Sequence, residues 1–307
     1  MSEAILTTAG LGKRFGNRWA VKDLNLEVRA GDVFGFLGPN GAGKSTTIRI
    51  ILIILTLLSP TSGSVKIFGK DVSGNRESVL SRVCGIVEKP DFYLYLSAYK
   101  NLELLGSLTR KVKRNEIFDA LEIVGLKSRA FDKVKAFSHG MKQRLGIAQA
   151  ILTKPELVIL DEPTSGLDPQ GMKEVRELVL ALSREHGTTI FLSSHLLTEV
   201  EAVANRMAVL NHGELIAQGK VSELLNGDSA YYSIQASPQN EAVELLRKMP
   251  WVEIVSVANG IDVHIDSRRA AELNRLLVTN AIEVSSFAAK RTLEDYFLKI
   301  TEGASEG

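Results

Sequence analysis

The stretch Gly38-Pro39-Asn40-Gly41-Ala42-Gly43-Lys44-Ser45-Thr46 leaves few folds open to the chain around it. It follows the pattern G-x-x-x-x-G-K-[ST], a loop that wraps phosphate and needs a strand before it and a helix after it. Asp32-Val33-Phe34-Gly35-Phe36-Leu37 is mostly apolar and reads as that buried strand, and Ile48 to Leu58 reads as a helix lying against a sheet. Glycines let backbone N–H groups turn toward an anion at a helix N-terminus. Gly38, Asn40, Gly41, Ala42, Gly43 and Thr46 are then the cradle. Lys44 is expected to reach the β- and γ-phosphates, and the Ser45 hydroxyl to hold Mg²⁺. Taken alone, the stretch also fits a glycine-rich turn with an incidental lysine.

Length and composition suit a globular protein. At 307 residues, 45% hydrophobic and 24% charged, the chain can bury a good core and is expected to hold two domains. A net charge of +1 gives no general attraction to nucleic acid. Cys84 is the one cysteine, which excludes an internal disulfide and suits a buried structural thiol in a reducing compartment. The five histidines are scattered, so no structural metal is expected. The N-terminus lacks the basic-then-apolar pattern of an export signal. The most apolar run, residues 50–58, falls well short of the roughly 20 residues that span a bilayer.

In chain order, Ile5 to Val28 reads as two or three strands. Phe15 sits in a polar turn between them, where its ring could stack on an adenine or tuck against the sheet edge. Short strands and turns follow to Lys89. Apolar spacing then turns helical over Ser97 to Leu108 and Asn115 to Val124. The intervening Arg110-Lys111-Val112-Lys113-Arg114 reads either as a basic patch or as a solvated loop. Ser138 suits the N-cap of a helix that starts beyond Phe137, and the free N–H groups behind it form a second anion site. Leu157 to Leu160 form a buried strand ending in Asp161 and Glu162. A strand tip beside a phosphate loop is where an open α/β sheet places its chemistry. Neighbouring side chains on a strand point opposite ways, so one carboxylate can serve Mg²⁺ while the other takes a proton from water.

Phosphate loop, serine-glycine signature and acidic strand, in this order and spacing, resemble the ATP-binding subunit of an ABC (ATP-binding cassette) transporter over roughly residues 4–225. The family signature LSGGQ is here Phe137-Ser138-His139-Gly140-Met141, a form common in exporters with ABC-2-type permeases. The resemblance implies that Phe15 holds the aromatic adenine-stacking position, Asp161 the carboxylate near Mg²⁺ and Glu162 the catalytic base. It places Asp168, in Ser165-Gly166-Leu167-Asp168, on the loop linking two subunits. His195, about thirty residues beyond Glu162, matches the switch histidine that contacts the γ-phosphate. It further implies a homodimer that sandwiches two ATPs, with Ser138 and Gly140 of one subunit closing over the nucleotide of the other. A separate multi-spanning permease, a peripheral place on the cytoplasmic face of the membrane and no nucleic-acid partner complete the expectation. The implied fold is α/β: a P-loop NTPase core of the ABC ATPase type with an antiparallel β subdomain and a helical subdomain at about 89–155, all within 1–227.

Residues 228–307 carry no nucleotide motif. Their strand, helix, hairpin across Asn259-Gly260, helix, strand and final helix (Leu293 to Ile300) read as a small α+β ferredoxin-like unit. This unit resembles the accessory domain of daunorubicin-resistance exporter subunits. Phe92, Tyr93 and Tyr95 read as exposed, where the family docks a permease helix, or as satellite core packing. An alternative function is a soluble ABC-type clamp on nucleic acid or ribosomes. Such clamps usually carry two cassettes or a long coiled coil, and this chain has one phosphate loop and no sustained heptads. No N-K-x-D segment follows to read guanine.

Glu88 stands where the family usually has glutamine, as it does in bacitracin- and lantibiotic-resistance exporters. An ionised carboxylate is a stronger hard-oxygen ligand than an amide; if Glu88 lies near Mg²⁺ its charge makes ATP binding depend on the metal, and the other reading is a solvated carboxylate with no metal contact. Glu88→Gln should therefore keep hydrolysis while raising the Mg²⁺ concentration for half-maximal ATPase activity. Superimposable Mg²⁺ titrations of the two proteins would remove Glu88 from the metal shell.

Overall fold

A computed structural model of the chain describes residues 3–52, 59–87, 90–108, 110–225, 229–257 and 260–290. Glu88, the run beyond Leu52, Asn259 and the final helix expected at Leu293 to Ile300 lie outside the described residues. Two compact units result, Met1–Gly219 and Lys220–Gly307. Among the described residues no helix is long and apolar enough to cross a membrane.

The first unit holds two sheets. One has the strand order Glu214–Lys220, Arg206–Asn211, Val33–Leu37, Thr189–Ser194, Leu157–Asp161, Val83–Ile86. From Arg206–Asn211 to Val83–Ile86 every neighbouring pair is parallel. Strands buried on both faces need unbroken apolar runs, and Val33–Leu37 and Leu157–Asp161 are buried at every position. The second sheet is antiparallel, built on Ala4–Phe15 with Arg18–Leu24, Glu27–Arg29, Ser62–Ile67 and Lys70–Asp71. One apolar cluster fills both: Leu6, Leu24, Val28 and Ile67 of the antiparallel sheet join Phe34, Phe36, Leu157 and Phe191 of the parallel one. Phe191 is the centrepiece, with ring centroids 5.5 Å from Phe34 and 5.3 Å from Phe36.

The helix after the phosphate loop starts at Lys44 and runs to Ile51, four residues earlier than the apolar pattern implied. The loop amides, rather than side-chain periodicity, set its first turn. The helical insertion follows the expected pattern, with helices Ala98–Ser107 and Arg114–Ile123. The basic run between them is partly committed locally: Arg110 pairs with Glu116 at 2.9 Å, and Arg114 lies over the Phe118 ring at 5.6 Å. The Arg110 guanidinium and the Lys113 N–H hold the Glu116 carboxyl down at about 2. Phe92 departs from the expected exposed group, because it is buried while Tyr93 and Tyr95 remain exposed. The buried Asn101 side chain accepts from the Tyr93 N–H at 2.9 Å and donates to the Tyr93 carbonyl at 3.1 Å. That clamp fixes the backbone next to the buried Phe92 ring.

In the second unit, Ser229–Ser237, Glu253–Ser256, Ile261–Asp266 and Glu283–Lys290 form an antiparallel sheet with helices Gln239–Arg247 and Ala270–Thr279. The third strand lies between the first and second, and the first lies between the third and fourth. Each βαβ pair is thus split by another strand, the ferredoxin-like arrangement. Ile234, Leu246, Ile261, Val263, Leu273 and Leu277 make its core.

One packing point joins the phosphate-loop strand to the segment after His195. A Cβ on Gly35 would lie 2.2 Å from Val200 Cγ1, in the helix Leu197–Val203. Gly35→Ala should lower stability by about 1–3 kcal/mol through overpacking. In a denaturant double-mutant cycle Val200→Ala should recover part of that loss. Strict additivity of the two substitutions would show that the contact is not what excludes a side chain here.

Candidate active site

Three adjacent parallel strands end within one residue of one another. Leu37 pairs with Ser194, and Asp161 with Ser193, so Gly38, His195 and Glu162 leave the sheet side by side. Gly43, at φ +106, tightens the loop before the helix, and a Cβ there would meet the Ala20 carbonyl oxygen at 2.3 Å. No L side chain fits that turn.

Lys44 is buried at 5% exposure. Its Nζ donates to the Gly38 carbonyl at 2.7 Å and the Pro39 carbonyl at 3.2 Å, and lies 3.7 Å from Glu162 Oε1. Burial pulls its pKa down, and the Glu162 and Asp161 charges push back. The other Glu162 oxygen, Oε2, lies 3.1 Å from His195 Nδ1. Glu162 itself sits at φ +48, a left-handed backbone that costs a residue other than glycine about 1–3 kcal/mol. Ser193 holds it there: the buried hydroxyl accepts from the Glu162 N–H at 3.0 Å and donates to Asp161 Oδ1 at 2.5 Å.

A cleft of about 460 Å³ runs from Phe15 past Asn40, Gly41, Gly43, Lys44, Ser45 and Thr46 to Glu162. Phe15 ends its strand half exposed, with Lys13 Nζ 5.3 Å from the ring centroid. Arg18, Trp19, Ala20 and His212 also line the cleft and were not singled out from sequence. Trp19 and Ala20 read there only as strand alternation, and His212 lies in a distant turn. Ser45 brings a hydroxyl oxygen to this cleft, whereas Asp161 does not line it: it is buried one residue before Glu162 with its Oδ1 committed to Ser193. No cluster of three or more His, Cys, Asp or Glu able to hold a metal occurs among the described residues. Mg²⁺ takes one or two carboxylates together with substrate phosphates, and Asp161 and the Ser45 hydroxyl are oxygen donors of that kind.

Ser138, Gly140 and Asp168 do not line this cleft. Ser138 caps the helix His139–Ile151, its hydroxyl accepting from the Met141 N–H at 3.2 Å. Asp168 caps Pro169–His186 by accepting from the Gly171 N–H at 2.8 Å. The two helix starts are neighbours, with Arg144 on the first 3.4 Å from Glu174 on the second.

A family model described as "ABC transporter" matches residues 21–165. The chain is 42% identical over 306 residues to the bacitracin transport ATP-binding protein of Bacillus licheniformis, covering 99% of both chains. It is 33% identical over 320 residues to the daunorubicin/doxorubicin resistance ATP-binding protein of Streptomyces peucetius, covering 96% of this chain and 92% of that one. Among solved structures, a dimeric post-hydrolysis ATP-binding cassette bound to ADP and Pi aligns with a TM-score of 0.62 at 25% identity, over 71% of this chain and 99% of that one.

A phosphate in the loop would offer the Lys44 ammonium a charged acceptor in place of two neutral carbonyls. Lys44→Ala should weaken ATP binding by about 1.5–3 kcal/mol, the worth of a hydrogen bond to a charged group. Equal affinities in an ATP titration of the variant and the parent would exclude this loop as the nucleotide site.

Proposed function

Because the chain belongs to the ABC transporter family as one of its ATP-binding cassettes, we propose that it hydrolyses ATP to energise export through a separate membrane permease, with Glu162 as the general base. The observation that carries the assignment of the base is the placement of the Glu162 carboxylate, 3.7 Å from Lys44 Nζ and 3.1 Å from His195 Nδ1 at the open end of the phosphate loop.

The chemistry follows from those positions. Phe15 stacks the adenine, and the amides from Gly38 to Thr46 with Lys44 hold the phosphates. Glu162 orients a water and takes its proton as the water oxygen bonds to the γ-phosphorus. The bond from that phosphorus to the bridging oxygen breaks, and ADP keeps the electron pair. His195 contacts the γ-phosphate and is held by Glu162. Phosphoryl transfer asks mainly for positioning and charge neutralisation, and the buried Lys44 and the helix N-terminus behind it supply both. Mg²⁺, held by Ser45, Asp161 and Glu88, would neutralise further charge on the phosphate oxygens.

Ser138, Gly140 and Asp168 do not line the cleft at the phosphate loop of their own chain, which supports a sandwich of two cassettes in which they face the partner's ATP. The relatives named for bacitracin transport and daunorubicin resistance favour a drug or antimicrobial peptide as cargo, exported at the cytoplasmic face of the membrane. In this reading the unit Lys220–Gly307 is an accessory to the cassette.

Glu162→Gln keeps the shape of the side chain and loses the base. Turnover should fall at least ~10²-fold with ATP binding retained, and with ATP the variant should elute as a trapped dimer in size-exclusion chromatography. Near-parental hydrolysis by this variant would move the base elsewhere, His195 being next.

A further inference from the structure

Glu199 is a buried carboxylate that the reaction described above does not use. It lies on the helix Leu197–Val203 with 5% of its surface exposed. Its Oε1 has no hydrogen-bond partner among the described residues. An unsatisfied buried oxygen is costly, so the group needs a compensating role. That role is visible at Oε2, which accepts from Thr164 Oγ1 at 2.5 Å and from Ser194 Oγ at 3.0 Å. The Ser194 hydroxyl accepts in turn from the Leu196 N–H at 2.9 Å, which fixes its rotation on the far side of His195.

The two donors belong to the two segments that carry the reactive groups. Thr164 stands two residues after Glu162, and Ser194 immediately precedes His195. Glu162 and His195 meet at 3.1 Å. A closed ring therefore runs Glu162, Pro163, Thr164, Glu199, Ser194, His195 and back to Glu162. A second side-chain tie, through Ser193, joins the same two strands at their ends, one residue further from His195.

We propose that Glu199 is a positioning residue: it couples the loop that begins at Glu162 to the strand end that carries His195, and so fixes the separation of the two groups facing the γ-phosphate. A carboxylate suits this because one oxygen must accept two hydroxyl protons at once, and charge strengthens both bonds. The proposal rests on the reading of Glu162 as the base.

The test compares steady-state ATPase kinetics of the full-length chain with Glu199→Ala, Glu199→Gln, Thr164→Val and the pair Glu199→Ala/Thr164→Val. A displaced catalytic group costs up to about 10²-fold while remote binding contacts survive. Glu199→Ala and Thr164→Val should each lower kcat about 10- to 100-fold. KM for ATP should stay within about twofold, because the phosphate loop is untouched. The pair should lose no more than the worse single variant, and Glu199→Gln, which keeps an accepting oxygen, should recover most of kcat. Thr164→Val preserves volume, so it carries the test if Glu199→Ala does not fold. Unchanged kcat in Thr164→Val, multiplicative losses in the pair, or loss of folded protein in Glu199→Ala beside a normal Thr164→Val would each overturn the coupling. Glu162→Gln assayed alongside keeps the two readings apart: near-parental turnover there sinks the base, whereas a dead Glu162→Gln beside a fully active Thr164→Val sinks only the coupling.

Discussion

A buried ammonium has to be surrounded by oxygen, and much of this cassette's geometry answers to that need. Burial lowers the Lys44 pKa, the reverse of what a phosphate-binding cation requires. The loop returns two carbonyls to it, and the acidic strand delivers Asp161 and Glu162 on its far side. Those carboxylates would repel the anion they help to bind if they stood unrestrained. Ser193 restrains them by taking one Asp161 oxygen and the Glu162 N–H into a single hydroxyl. The strained backbone of Glu162 is tolerated because this contact and the neighbouring strand over-determine it.

Much of this was legible in the sequence, for a specific reason. The phosphate loop, the strand before it, the acidic strand, the helical insertion and the Ser138 cap are encoded within a few residues of themselves, by glycine placement, apolar runs and capping chemistry. What escaped is encoded across the chain. Ser193 and Glu162 lie 31 residues apart, and Thr164 and Glu199 35 apart. Nothing local marks a serine in an apolar strand as a tie between carboxylates. Phe92 is buried beside a backbone that Asn101, eight positions beyond Tyr93, holds, and exposure cannot be read from an aromatic run alone. Arg18, Trp19 and His212 belong to the cleft only because separate strands end beside the same loop.

The second unit was legible in outline and silent in chemistry. Its alternating strands and two amphipathic helices announced the split βαβ order, and the sheet pairing carries it. Its His264 meets Glu253 at 3.1 Å through Nδ1, while the buried Nε2 has no hydrogen-bond partner among the described residues. The first unit differs in where such features gather. A strained Glu162, a desolvated Lys44 and the orphaned Glu199 oxygen lie on or beside the segments that meet at Lys44, Glu162 and His195, as expected where folding consistency has given way to function.

The fixed register of the three parallel strand ends makes the sheet a length standard. Pairing register changes only in whole residues, about 3.3 Å of travel each, and a slip of one residue also turns every side chain to the opposite face. With Leu37 opposite Ser194 and Asp161 opposite Ser193, the spacing among phosphate loop, histidine and carboxylates is therefore quantised. Evolution of this cassette can retune its reaction by rotating or exchanging side chains, but the ruler beneath them offers no intermediate marks.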